Sequence, residues 1–258
     1  MILNPSLHRR GTGPTVLLLL LLLSLPTAAW SGCDDPPSRR VNWLGCSKPG
    51  ADLRGADLRD AVMGNIDLTG ADLTGARLSG ADLGRARLAD TDFSGARLAG
   101  ARLVGAVVSG SDFSGALMDQ ARLDRATLNG VDFSDAVLTG ARLYQSDLTD
   151  ATVERADLTG ADLTGADLTY ARLNGAVLQA ALLSRATLEG ASLQQVNLQG
   201  AQMDDSNLLG ADFSGADLTA ADLRGAAISA ADFTDARLGS AIWTDRRRCR
   251  PGSVGECR

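Results

Sequence analysis

The stretch ADLTGADLTGADLTY, Ala156 to Tyr170, says nearly the same five letters three times. Neither regular element explains it. An amphipathic helix brings an apolar residue back about every 3.6 positions, and a half-buried strand about every 2. Ala, Asp and Gly are also weak strand formers. The phrase describes a unit that is neither a helix nor an ordinary strand.

The register holds far beyond this stretch. From Leu53 to Trp243 every fifth residue is Leu, Phe, Met, Val, Ile or Trp, giving 39 consecutive pentads without insertion or deletion. Two residues before each centre, 32 of the 39 sites are Ala, so this site has the width of Ala. The exceptions are Ile66, Thr91, Ser111, Val131, Ser146, Val196 and Ser206, all small or β-branched. With the centre called i, position i−1 is mostly polar, i+1 is often Thr or Ser, and i+2 is most often Gly. Positions i−2, i−1 and i then alternate in, out, in, as a three-residue extended segment does. The other two residues turn a corner, where Gly and small polar residues cost little. One pentad cannot bury its own Leu. Coils stacked on one another can, which is the logic of a solenoid.

The five Phe residues set the number of sides. Phe93, Phe113, Phe133, Phe213 and Phe233 differ by multiples of 20, or four pentads. Large rings must stack over large rings in a narrow interior. Four pentads per coil make a square and 39 pentads make close to ten coils. At about 4.8 Å per coil the rod is roughly 45 Å long. The expected fold is all-β, a quadrilateral parallel β-helix over 51–245.

The ends read differently. Residues 1–29 have the layout of a secretory signal peptide: a basic segment with His8, Arg9 and Arg10, an apolar run from Val16 to Leu25, and Thr27-Ala28-Ala29 for cleavage. The run is short for a membrane span. An uncleaved anchor is the bland alternative. Arg9-Arg10 is a weak twin-arginine cue, and Gly32-Cys33 a weak lipoprotein cue. The expected localisation is therefore exported, periplasmic or secreted. Residues 30–50 are expected to cap the rod with Cys33 and Cys46, and 246–258 to close it as a basic tail with Cys249 and Cys257. Four cysteines allow three pairings, and in an oxidising compartment the two local pairs would clasp each end. Trp43 and Trp243 are wide enough to act as lids.

The repeats resemble those of the pentapeptide-repeat family, whose motif is A(D/N)LXX. The resemblance spans essentially all of the mature chain and implies a right-handed quadrilateral β-helix. AIWTDRRRCRPGSVGEC (Ala241–Cys257) is similar to the closing segment of exported members, and CDDPP with VNWLGC to their start. Gyrase-inhibiting members often carry projecting loops or a C-terminal dimerising helix. This chain has no register break for such a loop and no helical pattern after Trp243.

Catalytic machinery is hard to find. The only His is His8, which leaves with the signal peptide, so Ser–His and Cys–His nucleophiles are excluded in the mature chain. The many Gly residues are corners, not a phosphate loop. Paired carboxylates can hydrolyse sugars, but these Asp residues occupy the generic outward position. No catalytic residue, cofactor or metal is assigned. The chain is not read as an enzyme.

The surface says more. Asp52, Asp72, Asp92, Asp112 and Asp132 form one outward column, one coil apart. Unit charges at that spacing repel by about 0.9 kcal/mol in water. Arg102, Arg122 and Arg142 form a second column, bracketed by Asp82 and Asp162. The bland account is that polar residues keep a rod soluble. The sharper one is a docking stripe or a weak cation site. From Ala51 to Asp245 there are 28 acidic and 15 basic residues, net −13, whereas Arg246 to Arg258 holds five Arg and one Glu, net +4. The acidic body argues against direct nucleic-acid binding. The tail is expected to cover the last coil, or else to contact a membrane surface or partner. The favoured function is a non-catalytic exported rod with a protein or cell-envelope partner. A DNA-mimicking gyrase inhibitor and a polysaccharide-active β-helix are the alternatives. Self-association into a homodimer is left open.

Overall fold

A computed structural model describes residues 32–258; residues 1–31, with the expected signal peptide at 1–29, lie outside the described residues. Each i−1 residue pairs in parallel with the residue 20 positions later, from Asn42↔Val62 to Asp222↔Ile242. The rod therefore has four sides. Side 1 carries Asp52 and its successors every 20 residues, side 2 Asp57 and its successors, side 3 Val62, and side 4 Asp67. The chain visits the sides in that order, so sides 1 and 3 are opposite. Coiling begins at Val41, two pentads before the expected boundary at 51. Residues 41–50 belong to the helix rather than to a separate cap, because Asn42 and Ser47 pair with Val62 and Asp67. Cys46 and Lys48 fill the slots usually held by Ala and Leu, which hides these pentads from the motif.

Backbone hydrogen bonds explain the pentad letter by letter. Leu73 N donates to Asp92 O at 2.7 Å and Gly75 N to Ser94 O at 2.9 Å, both toward the next coil. Asp72 N donates back to Ala51 O at 2.9 Å, and Ala76 N closes the corner onto Leu73 O at 2.9 Å. Only the i+1 N–H is left over. The i−1 Asp takes it: Thr74 N donates to Asp72 Oδ1 at 3.0 Å. Exposed corner donors can turn to water, but a carboxylate two residues back satisfies them locally. Asp at i−1 is thus first a turn-forming residue.

The i+2 residue has positive φ at every corner from Arg40 to Ser240. Gly suits this left-handed conformation, yet Tyr170 (φ 58°) and Ala180 (φ 56°) also adopt it.

The interior is a single column of apolar layers. Phe93 and Phe113 stack with centroids 4.5 Å apart, and Phe113 and Phe133 lie 5.3 Å apart. Phe213 and Phe233 are parallel at 5.1 Å. Burying each Leu or Phe contributes about 1.5–3 kcal/mol. Where Ser or Thr replaces the inward Ala, its hydroxyl is satisfied: Thr91 donates to Leu68 O and Ser111 to Leu88 O.

The two ends close differently. Trp43 is fully buried, so it is the last core layer rather than a lid. The lid is the segment above it, where Asp35 O accepts the indole N–H at 3.2 Å and the Cys33–Cys46 disulfide ties the segment down. At the other end the tail folds back antiparallel, pairing Val254 with Arg237 and Arg248 with Ile242. It thereby caps sides 2 and 3. Cys249–Cys257 closes it, and the half-buried Trp243 meets Phe233 edge-on at 5.3 Å.

Candidate interaction surface

A straight rod without long loops can only present its four walls, and walls 1 and 3 carry opposite charge at the same height. On side 1, Asp92, Asp112 and Asp132 follow one another by direct pairing. Their Oδ1 atoms accept from Ser94, Ser114 and Ser134 N at 2.7–2.8 Å. Among the described residues none of these three has a cationic partner within 4.0 Å. Burial pushes the Asp92 carboxyl up, but hydrogen bonds from Ser94 and Thr74 outweigh it and hold it low. The column's first members differ. Arg54 bonds Asp52 at 2.6 Å and reaches Asp72 at 3.5 Å. The hydrogen-bonded guanidinium pulls Asp52 down to about 2.

On side 3, Arg102, Arg122 and Arg142 are likewise consecutive. Arg102 Nε meets Asp82 at 3.3 Å. Asp162 brackets the other end by pairing with Arg142, but among the described residues the two form no ion pair, and Asp162 Oδ1 accepts from Thr164 N. Arg142 turns instead to Asp124, a corner residue, at 2.9 Å, and Arg122 approaches the same carboxylate at 3.5 Å. Asp124 is 7% exposed, and its Oδ2 has no hydrogen bond. Sequence reasoning missed Asp124 because it stands at i+1, outside the bridged columns. The signal available was an acid following Leu44, Gly64, Gly84 and Val104 in its corner row.

That corner row also makes a notch of about 330 Å³ beside Arg102, floored by Gly64 and Gly84 and bounded by Leu44 and Val104. A Cβ on Gly84 would lie 3.1 Å from Asp82 Oδ1 and 3.4 Å from Arg102 Nη2. The notch and the Asp82–Arg102 pair therefore depend on the missing side chain. Among the described residues no group of three or more His, Cys, Asp or Glu side chains is placed to hold a metal ion.

Comparison with known proteins places this surface on a familiar scaffold. A pentapeptide-repeats model matches residues 51–90, 146–184, 171–208, 181–219 and 201–242, and a second one matches 93–137. The chain belongs to the pentapeptide-repeat family, and its fold is the right-handed quadrilateral β-helix. HetL from the cyanobacterium Nostoc, involved in heterocyst differentiation regulation, is similar at 33% identity, over 81% of this chain and 90% of that one, with a TM-score of 0.38. A protein of the Arabidopsis thaliana thylakoid lumen is 32% identical over 45% of this chain and 67% of its own, with a TM-score of 0.28. QnrB1, a plasmid-mediated fluoroquinolone resistance protein, is 20% identical over 71% of this chain and 83% of its own, with a TM-score of 0.37. No curated protein matches the sequence significantly.

Proposed function

We propose that the protein is a non-catalytic, exported rod that binds a protein or cell-envelope partner through one of its two charged walls. The observation that carries this reading is the segregation of unpaired carboxylates on side 1 from the Arg row on side 3, in the same coils. A solubilising surface needs no such separation, because interspersed charges suffice. The export half of the proposal rests on the signal-like segment 1–29. The notch at Gly64 and Gly84 gives side 3 a relief that a partner side chain can enter.

Capture from an envelope fraction tests the reading. Asp92→Asn, Asp112→Asn and Asp132→Asn together keep the corner hydrogen bonds and remove the charge. Arg102→Gln, Arg122→Gln and Arg142→Gln are combined with Asp124→Asn, so that no buried carboxylate is orphaned. One of the two sets should abolish a salt-sensitive capture while both keep the fold. Capture indifferent to both sets, or inhibition of gyrase supercoiling by the full chain, would overturn it.

A further inference from the structure

We propose that the C-terminal tip is a docking surface for an anionic lipid membrane, met end-on. This rests on a different surface from the charged walls and stands or falls separately from them.

Residues 246–258 hold Arg246, Arg247, Arg248, Arg250 and Arg258 against one acid, Glu256, with Asp245 adjoining them. Because the tail pairs back onto Arg237 and Ile242, all five lie at one end of the rod. The Cys249–Cys257 bond, with both side chains buried, holds the loop in one shape. Two of the arginines are already engaged by carboxylates: Arg247 with Asp245 at 3.3 Å, and Arg258 with Glu256 at 2.7 Å. Arg248 donates to Ser240 O at 3.0 Å. Arg246 and Arg250 are exposed and form no ion pair within 4.0 Å among the described residues, although Arg246 lines a cleft with Asp204 and Asp205. Pro251 is exposed beside them, and Val254 is 47% exposed. Basic groups next to small apolar ones suit the headgroup boundary.

Geometry favours a flat surface over a flexible polyanion. Screening confines charge interactions to about 8 Å at physiological ionic strength, and the rod is roughly 45 Å long. An end-on approach brings the tip within that range while most of the acidic body stays outside it. A polymer that wraps would meet the acidic flanks.

Co-sedimentation of the full chain with phosphatidylcholine vesicles, with and without phosphatidylglycerol, reads this out. Binding should be stronger with phosphatidylglycerol and should fall as salt rises. Arg246→Glu with Arg250→Glu should weaken it about tenfold or more. Arg246→Lys with Arg250→Lys should retain it, and Arg77→Glu with Arg97→Glu on side 2 should leave it unchanged. Equal binding to both vesicles, or no effect of the tip reversal, would overturn the proposal. Tip-dependent binding to heparin without vesicle binding would replace the membrane with a soluble polyanion.

Discussion

Asp124 holds Arg142 across one coil, Oδ1 to Nη2 at 2.9 Å, from a corner and not from the face on which Arg142 stands. Its side chain is 9% exposed whereas that of Arg142 is 51% exposed. The two partners therefore respond differently to truncation. Arg142→Gln leaves a buried carboxylate with Arg122 at 3.5 Å as its remaining cation among the described residues and should destabilise by about 1–2 kcal/mol. Adding Asp124→Asn should recover most of that loss. Chemical denaturation of the single and double variants measures the coupling.

Acid should weaken the N-terminal coils. Asp52 and Asp57 sit at about 2 in the folded chain, against an ordinary 3.8, because Arg54 and Arg59 donate hydrogen bonds to them. Between those values the unfolded chain binds more protons than the folded one. Their contribution is present above about 3.8 and is lost as pH falls toward 2. Arg54→Gln with Arg59→Gln should flatten the melting-temperature curve over that window and leave it unchanged in shape near neutrality.

Corner conformation gives a prediction that involves no contact. Gly160 has φ +65° with nothing within 4 Å of a built Cβ. Gly160→Ala should cost about 1 kcal/mol through the left-handed backbone alone. The reverse change at Ala180, where φ is 56°, should stabilise by roughly 0.5–1 kcal/mol. Thermal melts of the two variants should move in opposite directions.

The interior should refuse bulk. Ala161 is fully buried, while Asp162 lies on the outer wall. Ala161→Phe should destabilise by at least about 1–3 kcal/mol. Asp162→Asn, which keeps an oxygen for Thr164 N, should shift the melt far less. Equal melting temperatures would contradict the inward placement.

The wall carboxylates combine a structural and an electrostatic role that substitution can separate. Asp112 accepts from Ser114 N at 2.7 Å and is paired between Asp92 and Asp132. Asp112→Asn keeps the acceptor and relieves like-charge repulsion, so stability should hold or rise at low salt. Asp112→Ala loses the acceptor and should cost about 1 kcal/mol. A salt titration of both melts distinguishes the two effects.

The rod was legible in the sequence because its period is unbroken, and the Phe spacing of 20 marked the stacking column directly. The reason for Asp at i−1 was not legible. It appears only once the other four backbone donors of a pentad are seen to be taken, leaving the one at i+1. The pentads at Val41–Gly50 were hidden because Cys46 and Lys48 replace the usual Ala and Leu. Asp124 was hidden for a different reason: columns read every 20 residues along i−1 do not show what a corner residue reaches. Charge columns say which faces are charged, and only side-chain geometry says which charges remain unpaired.

The most direct measurement is photo-crosslinking from each wall in turn. A crosslinking residue is placed at Asp112 on side 1, Val137 on side 2, Arg102 on side 3 or Val107 on side 4, and the full chain is irradiated in its own envelope fraction. One partner adduct, lost at high salt, is expected from Asp112 or Arg102 and none from Val137. Adducts of equal yield from all four walls, or one insensitive to salt, would contradict recognition through the segregated charges.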